Sequence, residues 1–194
     1  MSAKFLLIDY ENIQKVNLTD LQEDMLVKVF LGQNQKSIPF ELVQEAQRRG
    51  QSLDWLKIEG NGNNALDFHI AFYLGKLQAE HQAASFIILS KDKGFDPLVT
   101  HINKSKANCR RIESLFELPG VIDNLFKDGN LKTTIKNLLK IEKNKRPRKR
   151  NTLKKHISTI FNKKMADSKV DELINNFFIN NLISESGGKL AYKF

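Results

Sequence analysis

The chain is poor in the residues that build disulfides and zinc sites: among 194 residues it has one cysteine and four histidines. A single Cys109 excludes an internal disulfide framework and a structural zinc site built on several thiolates. We expect Cys109 to be a buried, inert thiol. No ligand spacing relates the four histidines, and no Ser-His-Asp or Cys-His arrangement can be argued from the sequence.

Long hydrophobic runs are also missing. The longest apolar stretches, such as "KFLLI" and "SFIILS", are far shorter than the roughly 20 residues that cross a bilayer. The first residues, "MSAKFLLIDYEN", lack the layout of a signal peptide. These absences predict a cytoplasmic protein with no membrane partner, and a hydrophobic content of 41% is enough to bury a core.

The positive charge is unevenly distributed. Residues 1–120 carry 14 Lys/Arg and 15 Asp/Glu, whereas residues 121–194 carry 17 and 7, so the whole net charge of +9 comes from the C-terminal third. A basic block of this kind usually indicates a polyanionic partner or a solvated tail.

Short apolar runs alternate with helical patterns over the first 115 residues, which predicts an α/β domain with a mostly parallel sheet. The predicted strands are 4–9, 25–32, 53–59, 85–90 and 109–114. Helices are predicted at 39–49 and 65–81, the first of which opens at Pro39 and stops at Gly50. One or two further helices after residue 116 are expected to complete a domain that spans residues 1–142.

The C-terminal part begins with the basic segment "KNKRPRKRNTLKK" (143–155), which has eight Lys/Arg and contains Pro147. We expect this segment to be a solvated linker. Residues 156–194 contain two helical patterns followed by a hairpin with an "SGG" turn, the outline of a small α+β winged-helix-like module.

Four aspartates are predicted to share one edge of the sheet. Asp9 ends the first strand, Asp92 follows the fourth, Asp96 comes one helical turn later, and Asp67 lies in the first turn of the helix after the third strand. Ligands of open α/β sheets bind at the carboxyl ends of the strands. An alternative for Asp96, followed by Pro97, is a simple helix N-cap.

Repulsion between these carboxylates favours a metal site. Two carboxylates about 5 Å apart repel by roughly 3 kcal/mol at an effective dielectric of about 20, and a divalent cation removes that cost. Hard oxygen ligands without His or Cys suit Mg²⁺ or Mn²⁺. We therefore expect a magnesium-class ion to bind at this edge.

Three segments in this order, "FLLIDYENI", "ALDFHIAF" and "ILSKDKGFDPLV", resemble the PIN-like superfamily and specifically its NYN branch, over about residues 3–115. The resemblance implies a PIN-like (Rossmann-like) five-stranded parallel sheet flanked by helices. It also implies a metal-dependent ribonuclease that uses Mg²⁺ or Mn²⁺.

Carried onto this chain, the resemblance makes Asp9, Asp67, Asp92 and Asp96 the metal ligands and catalytic acids, with Asn12 orienting water or a phosphate oxygen. Ser90 falls where a small hydroxyl residue supports such a cluster. The chain departs from the family by flanking Asp92 with Lys91 and Lys93, which we expect to bind phosphate; the alternative is that they weaken the affinity of the site for metal. Glu11 is expected to have a solvated surface role.

A rival motif lies between the third strand and the following helix, where Gly60, Gly62 and Ala65 satisfy G-x-G-x-x-G/A. Dinucleotide binding is disfavoured because the motif does not follow the first strand and because Asp67 would lie beside the pyrophosphate. We expect these glycines to shape a loop over the acidic edge.

The basic segment is expected to hold the substrate, because Arg and Lys bind phosphate without reading sequence. The residues assigned to this role are Lys145, Arg146, Arg148, Lys149, Arg150, Lys154 and Lys155. The second helix of the last module is acidic, so a protein partner or self-association there is an open alternative to nucleic-acid binding.

Together these features predict a divalent-metal-dependent endoribonuclease. A non-catalytic RNA-binding or regulatory protein of the same fold is the main alternative. A DNA-directed nuclease is the third, since the chemistry does not distinguish the sugar.

Overall fold

The computed structural model describes residues 2–60, 62 and 64–194. It divides the chain into two compact units, residues 1–115 and residues 116–194. Of the described residues, none belongs to a helix long and apolar enough to span a membrane.

The first unit contains a five-stranded parallel sheet. Its strands are β1 (Lys4–Asp9), β2 (Met25–Leu31), β3 (Leu53–Lys57), β4 (Ser85–Leu89) and β5 (Asn108–Ile112). Their order is β3-β2-β1-β4-β5, and every neighbouring pair is parallel. The predicted α/β fold class is thus confirmed, with strand ends within two residues of those expected.

Three helices cover this sheet: α1 (Phe40–Arg49), α2 (Ala65–Glu80) and α3 (Phe95–Asn103). The chain moves outward from β2 to β3 and then returns across the sheet to β4. Because such crossovers are right-handed, this reversal places α1 and α2 on opposite faces. Helix α2 buries Leu66, Ile70, Leu74 and Leu77 in the same core cluster as β1 and β4 residues such as Leu7 and Ile88.

The strand order reverses between β1 and β4, which are hydrogen-bonded neighbours although they are far apart in the chain. At such a switch point the connections leave toward opposite faces and open a crevice at the carboxyl ends of the strands. Asp9 ends β1 and Ser90 directly follows β4. The topology therefore puts both residues at this crevice.

The second unit contains helices α4 (Val121–Leu125), α5 (Gly129–Leu139), α6 (Arg150–Ile160) and α7 (Asp167–Ile179). An antiparallel hairpin of β6 (Ile183–Ser186) and β7 (Lys189–Tyr192) follows. The two helices and hairpin expected at the C-terminus are present, and α5 is packed with them.

The division into units differs from the domains expected from the sequence, which placed a boundary after residue 142. Helix α5 buries Leu131, Ile135 and Leu138 in the core cluster that also contains Leu153 of α6 and Phe177 of α7. The pattern of apolar residues in α5 shows that it has a buried face but not which partner covers that face. Burial against α6 and α7 assigns α5 to the second unit.

The segment expected to be a solvated linker, 143–155, is likewise part of the packed unit. Helix α6 starts at Arg150 and buries Leu153 completely. Arg146 is 5% exposed, and its guanidinium donates to the carbonyl oxygens of Phe194, at 2.6 Å, and Ile141, at 3.1 Å. Six of the eight Lys/Arg of the run are nevertheless exposed, so the segment is solvated at most of its charges and is anchored to the unit through Arg146.

Candidate active site

The carboxylate of Asp9 is the buried centre of the site. Asp9 is fully buried at the end of β1. Its Oδ2 accepts hydrogen bonds of 2.6 Å from Ser90 Oγ and 2.6 Å from Asn12 Nδ2, and its Oδ1 accepts one of 3.2 Å from the Asn12 amide. A buried carboxylate needs such donors to offset its lost hydration. Asn12 and Ser90 therefore hold Asp9 in one orientation.

Ser90 connects the ends of the two central strands. While its Oγ donates to Asp9, it accepts a 3.0 Å hydrogen bond from the Asp92 amide. The Asp92 carboxylate in turn accepts a 2.7 Å hydrogen bond from the Gly94 amide. This chain of hydrogen bonds fixes the turn after β4, and with it the position of Asp92 relative to Asp9.

Asp67 reaches the same site from the first turn of α2. Its pKa is raised from 3.8 to about 6, first by burial and then by the negative charges of Asp9, Asp92 and Glu11. Like charges that disfavour ionisation must lie close enough to interact. The raised pKa of Asp67 therefore indicates that carboxylates from three separate parts of the chain lie near one another.

An open cavity of about 570 Å³ contains these groups. Its walls are mostly polar and come from the ends of β1 and β2, the loop before α2, and the turn after β4. The lining residues are Asp9, Glu11, Asn12, Gln33, Asn34, Ile58, Gly60, Gly62, Asn64, Ala65, Leu66, Asp67 and Asp92. Such a cavity suits a hydrated, charged ligand better than an apolar one.

Asp96, expected in the metal cluster, has a different partner. Its carboxylate forms a two-pronged ion pair with Arg111 of β5, with Nε–Oδ1 at 2.6 Å and Nη2–Oδ2 at 3.3 Å. Arg111 also donates to the Ser90 carbonyl oxygen at 2.9 Å. Asp96 is not among the residues lining the cavity. The structure thus brings together Asp9, Asp67 and Asp92 but assigns the Asp96 carboxylate to Arg111.

Arg111 is a residue that the sequence analysis missed. The segment "CRRIES" shows a strand but gives no sign of which arginine faces the site. In the sheet, Arg111 is paired in register with Ile88 of β4, so its side chain can reach both the Ser90 carbonyl and Asp96. Hydrogen bonding to Asp96 raises the pKa of Arg111. The guanidinium therefore stays charged and clamps the turn after β4 to α3.

Glu11 is exposed, as expected for a solvated residue, but it also lines the cavity, and its charge contributes to the raised pKa of Asp67. Its side chain packs against Gly32, where an added Cβ would lie 1.5 Å from Glu11 Oε1. A side chain at position 32 would therefore require the Glu11 carboxylate to move away from the end of β2. The sequence signal for the position of Glu11 is Gly32, which lies beside it in the fold. This signal can be interpreted only once β1 and β2 are known to be adjacent.

The donor set fits a hard divalent cation. Carboxylates dominate the charged groups of the cavity, and burial together with mutual repulsion raises the pKa of Asp67, a cost that bound positive charge would remove. Among residues 2–60, 62 and 64–194, no three His, Cys, Asp or Glu side chains are gathered closely enough to count as a ready-made metal group. The case for a divalent cation therefore rests on the carboxylate oxygens that the cavity offers and on the repulsion among their charges.

Comparison with known proteins decides the family. The model of the PIN domain matches residues 3–112, more than half of the chain and nearly all of the first unit. This chain belongs to the PIN domain family. Such domains are generally metal-dependent nucleases that typically use Mg²⁺ or Mn²⁺. No curated protein and no solved structure matches the chain significantly.

Of the remaining residues singled out in the sequence, Gly60 and Gly62 line the acidic cavity, whereas Lys91, Lys93 and Cys109 do not. Lys91 and Lys93 are exposed on either side of Asp92. Gly60 and Gly62 line the cavity as part of the loop before α2, and Gly60 has a φ of +99° that favours glycine. Cys109 is a buried free thiol whose pKa is raised by burial to about 11, in agreement with the expected inert role.

The basic residues assigned to substrate binding lie in the second unit and differ in availability. Contrary to expectation, Arg146 is buried against backbone carbonyls. Lys154 is paired with Asp171 at 2.7 Å and with Asp167 at 3.7 Å. Exposed members of the set are Lys145, Arg148, Lys149, Arg150 and Lys155.

Some of these exposed cations are themselves in contact with neighbours. Lys145 pairs with Glu142 at 3.0 Å, and the Arg150 guanidinium lies 4.6 Å from the centre of the Phe178 ring. Lys155 and Lys163, which the sequence analysis did not select, line a cavity beside the end of α6 together with Ser158, Thr159, Met165 and Asp167. The exposed basic side chains thus lie mainly on and around α6, whereas α7 exposes the acidic residues Asp167, Asp171 and Glu172.

Proposed function

We propose that this PIN domain protein is a divalent-metal-dependent endoribonuclease that cleaves single-stranded RNA. The observation that carries the proposal is the meeting of Asp9, Asp67 and Asp92 in one polar cavity at the carboxyl edge of the sheet, where the pKa of Asp67 is raised to about 6. The assignment to the NYN branch, carried by "FLLIDYENI", is part of the same proposal.

Asp9, Asp67 and Asp92 would hold the cation. Bound Mg²⁺ or Mn²⁺ supplies positive charge to a phosphate and lowers the pKa of a coordinated water. Asp9 contributes a fixed anchor, because Ser90 and Asn12 hold its carboxylate from two sides. Asp67 and Asp92 complete the set from α2 and from the turn after β4.

Asn12 has a second function beyond holding Asp9. A side-chain amide has two N–H donors, and one of them is committed to Asp9 Oδ2. The other can donate to a phosphate oxygen or to a water in the cavity, since Asn12 is among the lining residues. Asn12 therefore orients both the carboxylate and the substrate.

Asp96 and Arg111 hold the turn that carries Asp92 without lining the cavity themselves. Their ion pair and the hydrogen bond from Arg111 to the Ser90 carbonyl oxygen hold the turn that carries Asp92. Because Ser90 also donates to Asp9, this support extends to the buried carboxylate. We assign Asp96 a positioning role rather than a place in direct contact with the cation.

The second unit supplies affinity for the RNA backbone. Residues 116–194 carry 17 Lys/Arg and 8 Asp/Glu, whereas residues 1–115 carry 14 of each. Lys149, Lys155 and Lys163 are exposed around α6 and are suited to phosphate contacts that do not read sequence. Its helices and hairpin are the parts of a winged-helix-like module, which we propose binds RNA through the α6 side rather than through the acidic α7.

The test is cleavage of end-labelled single-stranded RNA, duplex RNA and single-stranded DNA by the purified full chain in Mg²⁺, Mn²⁺ or EDTA. We expect internal cuts in single-stranded RNA that require metal and fall by at least about 100-fold in Asp92→Asn. Asp54→Asn is the matched control, since Asp54 is exposed on β3 and paired with Lys28.

Each alternative function has a distinct outcome in this assay. Cleavage of DNA in preference to RNA would identify a DNA-directed nuclease. Binding of RNA without metal-dependent cleavage would identify a non-catalytic RNA-binding protein. Equal activity of Asp92→Asn and the wild type would refute the assigned site.

A further inference from the structure

Helix α2 exposes two phenylalanine rings to solvent. Phe68 is 70% exposed and Phe72 is 65% exposed. A single exposed ring such as Phe40 is ordinary, but two large apolar side chains exposed one helical turn apart form a patch of the kind that often marks an interaction site. The buried face of α2 is already complete with Leu66, Ile70, Leu74 and Leu77, so the two rings contribute nothing to that core.

The rings belong to a stripe that begins inside the candidate active site. Phe68, Phe72 and Lys76 are spaced four residues apart, so they follow one another along one side of α2. Asn64, the N-cap residue before the helix, accepts a 3.1 Å hydrogen bond from the Phe68 amide through its carbonyl oxygen. Asn64 lines the acidic cavity, and Asp67, which carries the raised pKa, directly precedes Phe68. The stripe therefore runs away from the cavity along the exposed surface of the helix.

The spacing along the stripe suits unpaired bases. Four residues of α-helix advance by about 6 Å. Stacked bases of a strand lie about 3.4 Å apart, so two bases with one aromatic ring between them are separated by about 7 Å. This separation is close to the advance of about 6 Å from one ring of the stripe to the next. Lys76, one turn beyond Phe72, is exposed and only loosely paired with Glu80 at 4.0 Å. Because this pair is exposed to solvent, the ammonium group can exchange it for a phosphate contact.

The outer ring is also held in place. Phe72 packs edge-on against Tyr73, with ring centres 5.6 Å apart, and Tyr73 packs edge-on against the buried Phe30 at 5.4 Å. A ring that is supported from below loses less conformational freedom when a base stacks on it. This arrangement favours a pre-organised stacking surface over two mobile side chains.

We infer that Phe68 and Phe72 form a platform on which unpaired bases of the substrate stack as the strand leaves the acidic cavity. The inference rests on the proposed function and deepens it, since it names the surface that would hold the unpaired bases of the single-stranded substrate. Paired bases present no free faces to the rings. Duplex RNA therefore gains nothing from the platform.

The test measures binding and not cleavage. Anisotropy of a labelled 10-nucleotide single-stranded RNA is titrated with the full chain in EDTA, using the double variant Phe68→Leu/Phe72→Leu. Leucine keeps apolar surface but removes the flat ring, and we expect affinity to fall by about 10-fold or more. The double variant Phe68→Tyr/Phe72→Tyr keeps both rings and is expected to bind within about 2-fold of the wild type.

Phe40→Leu is the matched control, because Phe40 is 68% exposed but lies on α1, on the opposite face of the sheet. It is expected to leave the affinity unchanged. Binding of duplex RNA of the same sequence should not respond to Phe68→Leu/Phe72→Leu. A 2-aminopurine base in the single strand should report stacking through a fluorescence change that the leucine variant loses. Melting temperatures verify that all variants fold.

Several results would overturn the inference. The leucine variant could bind single-stranded RNA as the wild type does, it could lose duplex binding equally, or the tyrosine variant could fail as badly as the leucine variant. Sedimentation could also show a dimer that the leucine variant dissociates with unchanged RNA affinity per chain, which would make this face a self-association surface.

The outcome is separable from that of the nuclease proposal. If the protein cleaves no RNA but the leucine variant still loses single-strand affinity, the platform stands and the catalytic proposal falls. If cleavage is metal-dependent while the leucine variant matches the wild type in affinity, the reverse holds.

Discussion

The two units of the chain treat charge in opposite ways. The first is neutral overall, with 14 Lys/Arg and 14 Asp/Glu in residues 1–115, yet it concentrates carboxylates in one cavity. The second has an excess of nine positive charges in residues 116–194, spread over exposed helices. Net charge alone would have drawn attention only to the second unit, so the arrangement of charges matters more than their sum.

The separation has a chemical advantage. Lysine ammonium groups inside the cavity would pair with the carboxylates and compete with a cation, as Arg111 already does for Asp96. In the proposed function, placing most of the basic surplus in a separate unit would leave Asp9, Asp67 and Asp92 to a divalent ion, while phosphate contacts would be made elsewhere. The comparison predicts that each unit can be damaged without the other.

The largest effect is expected from Asp9→Asn, which damages only the acidic unit. The amide keeps the shape of the side chain and removes its charge, so metal-dependent cleavage should fall by at least about 100-fold. RNA affinity measured in EDTA should stay within about 3-fold. Parallel losses of cleavage and affinity would mean that the two units do not act separately.

The converse change is the triple variant Lys149→Gln/Lys155→Gln/Lys163→Gln, which damages only the basic unit. Each phosphate contact with a single strand contributes about 0.7 to the dependence of log affinity on log salt, so losing three should lower that slope by about 2. We expect affinity near 0.1 M salt to fall by about 10-fold or more. Cleavage at saturating RNA should change little.

The control for this variant makes the same change in net charge within the first unit, by Lys4→Gln/Lys28→Gln/Lys57→Gln. These lysines are already bound to Asp24, Asp54 and the Gln35 carbonyl oxygen. A loss of RNA affinity in the control equal to that of the test variant would show that only total charge matters.

A finer test compares Asp96→Asn with Asp92→Asn, which separates the ion-paired carboxylate from those facing the cavity. Asp96→Asn weakens the pair with Arg111, and because Asp96 is half exposed we expect a stability loss of only about 1 kcal/mol. Cleavage should fall by less than about 5-fold. A loss as large as that of Asp92→Asn would place Asp96 on the cation.

The smallest expected effect is a gain of stability in Asp67→Asn. Because the pKa of Asp67 is raised to about 6 in the folded protein, the folded state binds this proton more tightly than the unfolded state. Its contribution is therefore most favourable below pH 4 and is lost as the pH rises through 6. Removing the charge should stabilise the metal-free protein at pH 7.5 by on the order of 1 kcal/mol after solvent screening.

Thermal melts in EDTA between pH 4 and pH 8 measure this effect. The melting temperatures of Asp67→Asn and the wild type should differ at pH 7.5 and converge near pH 4. A variant that is less stable than the wild type at pH 7.5 would contradict the raised pKa. The expected gain is typical of sites that give up stability for function.

Much of the first unit was predictable because its signals are local. Runs such as "KFLLID" and "SFIILS" are apolar on both faces, as buried parallel strands are, and Asp9 and Asp92 follow them directly. The carboxyl ends of parallel strands share an edge, so the meeting of these two residues required only the fold class. Ser90 and Asn12 were selected by resemblance to the family, and both hydrogen-bond to Asp9.

The second unit was harder to divide because its signals are not local. A helix such as α5 has a buried stripe that fits either unit, and only the shared core with Leu153 and Phe177 decides between them. Arg146 shows that local charge is also an incomplete guide to burial. It lies in a run of basic residues, yet it is buried and donates to the carbonyl oxygens of Ile141 and Phe194.

The amino-acid sequence by itself determined the parallel sheet, the acids at its edge and the basic C-terminal surplus, because strand burial and charge are properties of short segments. Only the tertiary structure decided that Asp96 pairs with Arg111, that Glu11 lines the cavity, and that Phe68 and Phe72 of α2 are exposed. Those choices depend on distances between residues that are remote in the chain, which strand order and register set.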